Sequence, residues 1–162
     1  MKAQNAAKFP APKSLDSFDF KAIPTLNKMQ LLELVRCNWI KRRENVIALG
    51  PSGTGKTHVA LGLGLAACQK GLSVSFITAA ALVNELMETS DERRLIDLQN
   101  QFAAIKLLII DELGFVSLSK TGTERLTGAL LDRLTHHVNI VEMNGDSYRL
   151  SQSRARKAQA AT

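Results

Sequence analysis

Several things are scarce in this 162-residue chain, and each scarcity narrows what it can be. No apolar run approaches the roughly 18 to 20 residues of a membrane span, and the amino terminus lacks the hydrophobic core of a secretory signal. Both absences lead us to expect a cytoplasmic protein with no membrane partner. There are two cysteines, Cys37 and Cys68, on stretches that read as amphipathic helices and without metal-ligand spacing, so they are expected to be reduced core thiols. One tryptophan and one tyrosine leave little aromatic surface for stacking nucleic-acid bases. The remainder is ordinary, with 45% hydrophobic and 22% charged residues on a length that suits a single core.

One segment stands out. Gly50-Pro51-Ser52-Gly53-Thr54-Gly55-Lys56-Thr57 spells G-x-x-x-x-G-K-T, directly after the apolar run Val46-Ile47-Ala48-Leu49 and before the helix-forming stretch His58 to Gln69. Strand, glycine loop and helix together are the setting of a phosphate-binding P-loop; a chance glycine-rich turn would lack it. Glycines let successive backbone N–H groups turn onto a phosphate chain, and the helix start adds the positive end of its dipole. Lys56 is then expected to reach the β- and γ-phosphates of ATP, and Thr57 to coordinate Mg²⁺. Residues Gly50 to His58 form the expected nucleotide-binding stretch.

A second element is Leu107-Leu108-Ile109-Ile110-Asp111-Glu112, an apolar strand ending in acids. Open α/β sheets bind ligands at the carboxyl ends of their strands. Asp111 is therefore expected in the Mg²⁺ shell, and Glu112 as the base that orients water for attack on the γ-phosphate. The alternative is a solvated strand end.

Charge is distributed unevenly. Residues 1 to 43 carry net +6, residues 44 to 143 net −3 and residues 144 to 162 net +3. A nucleotide-binding core between basic flanks suggests a polyanion partner, with DNA or RNA, held non-specifically, the usual candidates. The plainer alternative is that Lys41-Arg42-Arg43 caps a helix end and the tail is merely soluble. Residues 1 to 24 read as a basic, partly disordered arm and linker, with 1 to 14 expected to be disordered because they have little to bury; residues 25 to 143 read as the ATP-binding domain, and residues 144 to 162 as a basic tail.

The periodicities predict a helix from Leu26 to Arg43 capped by Thr25, with Leu32, Val35 and Trp39 buried. Gly71 ends the P-loop helix, and Ser73 to Thr78 is a strand. A helical stretch from Ala79 to Ile105 is broken near Ser90-Asp91, with Leu82, Leu86, Leu95, Leu98 and Phe102 inward. A loop through Lys120-Thr121-Gly122, a helix from Glu124 to Thr135 and a strand Val138 to Met143 close the core. Alternating strands and helices imply a parallel α/β sheet.

With GPSGTGKTH, LAACQKG, FITAAALVNEL, DERRL and LLIIDELGFV between Asn45 and Val116, and LTGALLDRLTHH and EMNGDSYR after them, the chain resembles the IstB-like ATPases. These are helpers of insertion-sequence transposition, similar to the DnaC helicase loaders within the AAA+ class. The resemblance implies a three-layer αβα P-loop NTPase fold with a mostly parallel sheet. It also implies ATP hydrolysis, DNA and a transposase of the same element as partners, and assembly into a homo-oligomer. It places Arg133 where family members carry an arginine that reaches a neighbouring subunit's nucleotide; read alone, Arg133 is a surface helix arginine.

There is also a departure from the family. Family members carry a further helix and strand between the Asp-Glu strand and the ERLTGALLDRL helix, whereas here Ser119-Lys120-Thr121-Gly122 runs straight into Thr123-Glu124-Arg125. A strand-and-helix unit takes roughly 30 residues and only about ten lie in this gap. An internal deletion follows, leaving the sheet one central strand short and the γ-phosphate without its sensor residue, so hydrolysis is expected to be weak. Closing of the Asp111 strand onto the P-loop strand is expected in preference to an unpaired gap. A DnaC-like loader and a non-functional remnant of a mobile element are the alternatives to a transposition helper.

Overall fold

The structure is a computed structural model and describes residues 9–11, 13–88, 92–112, 137–145, 147 and 148. The first helix is opened by Asn27, whose side chain accepts a hydrogen bond from the Gln30 N–H at 3.0 Å, an N-cap. This helix, α1 (Lys28–Val35), stops at Arg36; Cys37 takes a left-handed φ of 60°, and α2 (Asn38–Lys41) follows. The single helix expected from Leu26 to Arg43 is thus two. Thr25 is not the cap: its hydroxyl donates to the Asn144 carbonyl at 2.7 Å and accepts from the Asn144 N–H at 2.9 Å.

The break at Cys37 resets the helical phase. Leu31, Leu34 and Trp39 are buried and Val35 is half-buried, while Leu32, expected inside, is 48% exposed. The Trp39 indole N–H donates to the Leu34 carbonyl at 2.8 Å and ties α2 back to α1.

Among the described residues, α1 and α2 are followed by β1 (Asn45–Leu49), α3 (Lys56–Gln69), β2 (Val74–Thr78), α4 (Ala79–Glu88), α5 (Glu92–Ala104), β3 (Leu107–Asp111) and β4 (Val138–Glu142). Gly71, at φ 75°, lets the chain leave α3 in a left-handed turn that a side chain would disfavour. α4 is described to Glu88 and α5 from Glu92, and the helix break expected near Ser90-Asp91 lies outside the described residues.

The strands form two parallel pairs. β1 lies beside β4, from Asn45 opposite Val138 to Leu49 opposite Glu142; β2 lies beside β3, from Val74 opposite Leu107 to Thr78 opposite Asp111. Among the described residues no ladder joins β1 to β3. This corrects the expectation that β3 closes up beside β1.

The reason lies in α3, which is buried on nearly every side and packs beneath both pairs. Val59, Leu63 and Ala67 share one core with Leu107 and Ile109 of β3 and Val141 of β4. A Cβ on Gly64 would come within 2.7 Å of the Ile109 side chain, so helix and β3 are already in closest contact. The edges of β1 and β3 line an open cavity of about 1790 Å³. Water can reach the unpaired backbone groups there, so they escape the penalty for burial that closing up was expected to avoid.

Alternation along the strands divides the layers. Leu107 and Ile109 face α3, whereas Leu108, Ile110 and Ile77 pack on Leu82 and Leu86 of α4 and Phe102 of α5. The stripe expected on these helices is thereby found at Leu82, Leu86, Leu98 and Phe102; the side chain of Leu95 lies outside the described ones. On the other pair, Val46, Ala48 and Val141 face α3, but Ile47, Leu49, Val138 and Ile140 are 40 to 50% exposed.

The arm expected to bury little packs on α3. Phe9 lies against Gly64 and Leu15 against Gly62, each so close that a Cβ would collide. Short 3-10 turns at Leu15–Ser17 and Phe20–Ala22 are capped by Ser14 and Asp19. Residues 113–136, with the expected Lys120-Thr121-Gly122 loop, the Glu124 to Thr135 helix and Arg133, lie outside the described residues, as do residues 149–162. No helix among the described residues is long and apolar enough to cross a membrane.

Candidate functional site

Parallel pairing aims β1 and β3 at one place, where α3 begins. Gly53 and Gly55 adopt φ of 84° and 91°, left-handed values at which a side chain is strained. Gly55 stands immediately before Lys56, so the backbone reverses there and the free N–H groups of the first turn of α3 open toward the cavity. Buried Thr54 donates to the Pro51 carbonyl at 3.0 Å and fixes the loop from inside.

The Lys56 ammonium folds back over the loop and donates to the Gly50 carbonyl at 2.8 Å and the Pro51 carbonyl at 2.6 Å. It therefore sits over the loop whose amides could hold phosphate. Across the mouth, the Thr57 hydroxyl donates to Asp111 Oδ2 at 2.9 Å. Hydroxyl and carboxylate come from residues far apart in the sequence. A small divalent cation such as Mg²⁺ takes one or two protein oxygens and completes its octahedron with phosphate and water, and these two groups fit that requirement.

Glu112, the next residue, has left the strand at φ 63° and is exposed on the cavity rim. The β3 end thus separates its two acids: Asp111 turns to Thr57 and Glu112 faces solvent. His58 lines the cavity too, but its ring is occupied by the arm, with Nε2 at 2.8 Å from the Ser14 carbonyl oxygen and 3.3 Å from Ser17 Oγ. Phe18 stacks edge-on against that ring, with centroids 5.3 Å apart.

Three residues not expected at the site border the loop. Phe18 abuts Gly55, so that a Cβ there would come within 2.9 Å of the ring; Ser147 abuts Gly53 so closely that a Cβ there would collide with its hydroxyl. The Tyr148 N–H donates to the Gly53 carbonyl at 3.1 Å. The sequence signal is the Asn144-Gly145-Asp146-Ser147-Tyr148 segment, whose position in the basic tail hides it. Of the basic run ending α2, Arg42 pairs with Glu44 at 2.6 Å. That hydrogen bond, with a second from Asn139, holds the Glu44 carboxyl below the usual carboxylate range. Burial pushes the Cys37 and Cys68 thiols up, and both are buried and outside any disulfide among the described residues.

In fold, the chain is similar to DnaA of Aquifex aeolicus bound to AMPPCP, with a TM-score of 0.59, 19% identity and coverage of 90% of this chain and 48% of that one. A DnaA structure with AMPPCP and single-stranded DNA gives 0.61 at 20% identity, again over 90% and 48%. The chain spans about half the length of these DnaA chains, and the fold is that of the AAA+ P-loop ATPases.

In sequence, it is 34% identical to an ATP-binding protein of insertion sequence IS5376 from Geobacillus stearothermophilus, over 91% of this chain and 72% of that protein. It is 32% identical to the corresponding protein of IS21 from Pseudomonas aeruginosa, over 91% of this chain and 68% of that one. The Geobacillus alignment runs over 181 positions, to which this chain contributes about 147, leaving about 34 that it lacks, close to one strand-and-helix unit. The profile of the family described as IstB-like ATP binding protein matches in two pieces, residues 1–126 and 119–156, whose junction is where the deletion was expected. The chain belongs to the IstB-like ATP-binding proteins of insertion sequences, with an internal deletion after its Asp111 strand.

Proposed function

We propose that this chain binds ATP with Mg²⁺ and acts in the cytoplasm as a helper of DNA transposition, holding DNA through its basic flanks and assisting the transposase of its element. The observation that carries the nucleotide part is the 2.9 Å contact between Thr57 and Asp111, which brings loop and strand-end carboxylate to one point. In this reading the backbone from Gly50 to Gly55 cradles the phosphates, Lys56 neutralises them and His58 borders the stretch. Thr57 and Asp111 hold the cation. Glu112 is the base for attacking water, and Arg133 serves a neighbouring subunit. Turnover is low, because the strand that would bring a sensor to the γ-phosphate is missing and only Glu112 remains to position water.

The DNA part is supported by charge and by the relatives' description as insertion-sequence proteins. Phosphate contacts through basic flanks give binding with little sequence preference. The test is a fluorescence-anisotropy titration of labelled duplex DNA, with ATP and Mg²⁺, over several salt concentrations. We expect log K to fall linearly with log salt, by roughly 0.9 per phosphate neutralised. Replacing Arg149, Arg154, Arg156 and Lys157 by Ala should flatten the slope. An unchanged slope and affinity in folded protein would refute the tail's part; no DNA binding by the parent chain would favour a helicase loader.

A further inference from the structure

The arm touches α3 from the residue that opens the helix to its third turn. Phe18 meets Gly55, the Ser14–Phe18 turn meets His58, Leu15 meets Gly62 and Phe9 meets Gly64. Glycine weakens a helix interior, so two of them inside α3 cost helix stability and leave room for something else. At Gly64 that room is shared between Phe9 and Ile109 of β3, whereas at Gly62 it is taken by Leu15. The helix that begins at the phosphate loop is thus shaped to receive the arm.

Two of these contacts bracket the residues that would meet the nucleotide. Gly55 immediately precedes Lys56, and His58 immediately follows Thr57. The Ser14 carbonyl can only accept, so His58 Nε2, 2.8 Å away, carries a proton and donates it. The Phe18 ring then lies edge-on to the imidazole and 2.9 Å from where a Cβ on Gly55 would stand. One short turn of the arm, capped by Ser14, therefore holds both the left-handed residue that reverses the loop and the first turn of α3, whose N–H groups open toward the cavity.

We propose that arm residues 9–11 and 13–20 act as a strap, whose docking on α3 and the binding of a nucleoside triphosphate at Gly50 to Thr57 strengthen each other. This rests on the nucleotide-binding reading above and adds a means of regulating that site. A loop already ordered by the docked arm loses less freedom when phosphate enters, so the triphosphate binds the strapped form more tightly. Linkage is reciprocal, and bound triphosphate holds the strap down by the same factor. Ser14 and Phe18 are positioning residues, acting through His58 and Gly55. Anything that draws the arm off α3 then loosens the nucleotide.

The test releases the arm without touching the loop. Gly62→Ala puts a better helix former into α3 and forces Leu15 away, and Leu15→Glu removes the same contact from the arm's side. Release is read as faster hydrogen exchange of the Ser17 and Phe18 amides, which bond to the Ser14 and Leu15 carbonyls within the docked turn. ATP affinity is read by calorimetry with Mg²⁺. We expect both variants to bind ATP about fivefold or more weakly, and saturating ATP to slow Ser17 and Phe18 exchange in the unmodified chain by at least the same factor. Unchanged ATP affinity with the arm released would make the arm a packing element and overturn the proposal. Exchange that ATP leaves unchanged would also overturn it, and exchange that ATP speeds would make the arm a competitor of the nucleotide. If a variant fails to fold or keeps its arm docked, exchange on the unmodified chain decides. A parent chain that binds no ATP would instead refute the nucleotide-binding reading, and the strap with it.

Discussion

Replacing Lys56 by Ala separates two functions of one ammonium group. In the free protein it donates to the Gly50 and Pro51 carbonyls at 2.8 and 2.6 Å. When a triphosphate enters, those neutral acceptors are exchanged for phosphate oxygens. Hydrogen bonds to charged groups contribute about 1.5 to 3 kcal/mol net, against about 1 kcal/mol for neutral ones. With two bonds exchanged, the net gain is about 1 to 4 kcal/mol, and since Lys56 is only half-buried the lower half of that range applies. The prediction is a loss of about 1 to 2.5 kcal/mol, or roughly 5- to 70-fold weaker ATP binding, by calorimetry with Mg²⁺. Stability without nucleotide should fall by no more than about 1 kcal/mol, since water replaces the ammonium at carbonyls open to the cavity. Equal ATP affinity in both proteins would refute the assignment of the loop. A large loss of stability without nucleotide would show instead that Lys56 is chiefly a structural clamp.

Three further outcomes are expected. Glu112→Gln should abolish whatever ATP turnover exists and leave ATP binding intact, since the amide keeps the shape and loses the base; turnover that persists would exclude Glu112 from the chemistry. Leu82→Ala, which empties a fully buried site between α4 and the β2–β3 pair, should cost about 2 to 5 kcal/mol in urea unfolding; a loss below 1 kcal/mol would mean that this layer packs loosely. Because burial raises both thiols, Cys37 and Cys68 should react with a thiol reagent at pH 8 far more slowly than in urea, as read by the time course of labelling; equal rates would contradict their burial.

The site was legible where chemistry is local. Eight residues in a fixed spacing specify the loop, and an apolar run ending in Asp111 specifies the strand end, so their meeting at Thr57 could be read without coordinates. What escaped depends on distant partners. Thr25 and Asn27 are both good caps by composition, and contact with Asn144, over a hundred residues away, draws Thr25 out of that role. Leu32 and Leu31 were separable only once the break at Cys37 was known, and no helix-breaking residue marks it. That β3 forms no ladder with β1 among the described residues was not legible either, because alternation along each strand reports which face turns to α3 and carries no distance between the two strands. The border at Ser147 and Tyr148 was obscured by charge, which described the tail and concealed its contact with Gly53.

The pairing of β1 with β4 also sets an order of events during synthesis. β1 emerges from the ribosome early, yet the strand that pairs with it follows about ninety residues later, a long loop to close. β2 and β3, by contrast, are joined by α4 and α5 and can pair as soon as Asp111 is made. The nascent chain therefore carries a finished β2–β3 half and a β1 strand with both edges open until Val138 to Glu142 arrives. The phosphate loop, anchored at its start by the Met143 N–H on the Leu49 carbonyl and along its length by Tyr148 on Gly53, is completed last. A nucleotide present during translation would meet a formed site only after Tyr148 has been made.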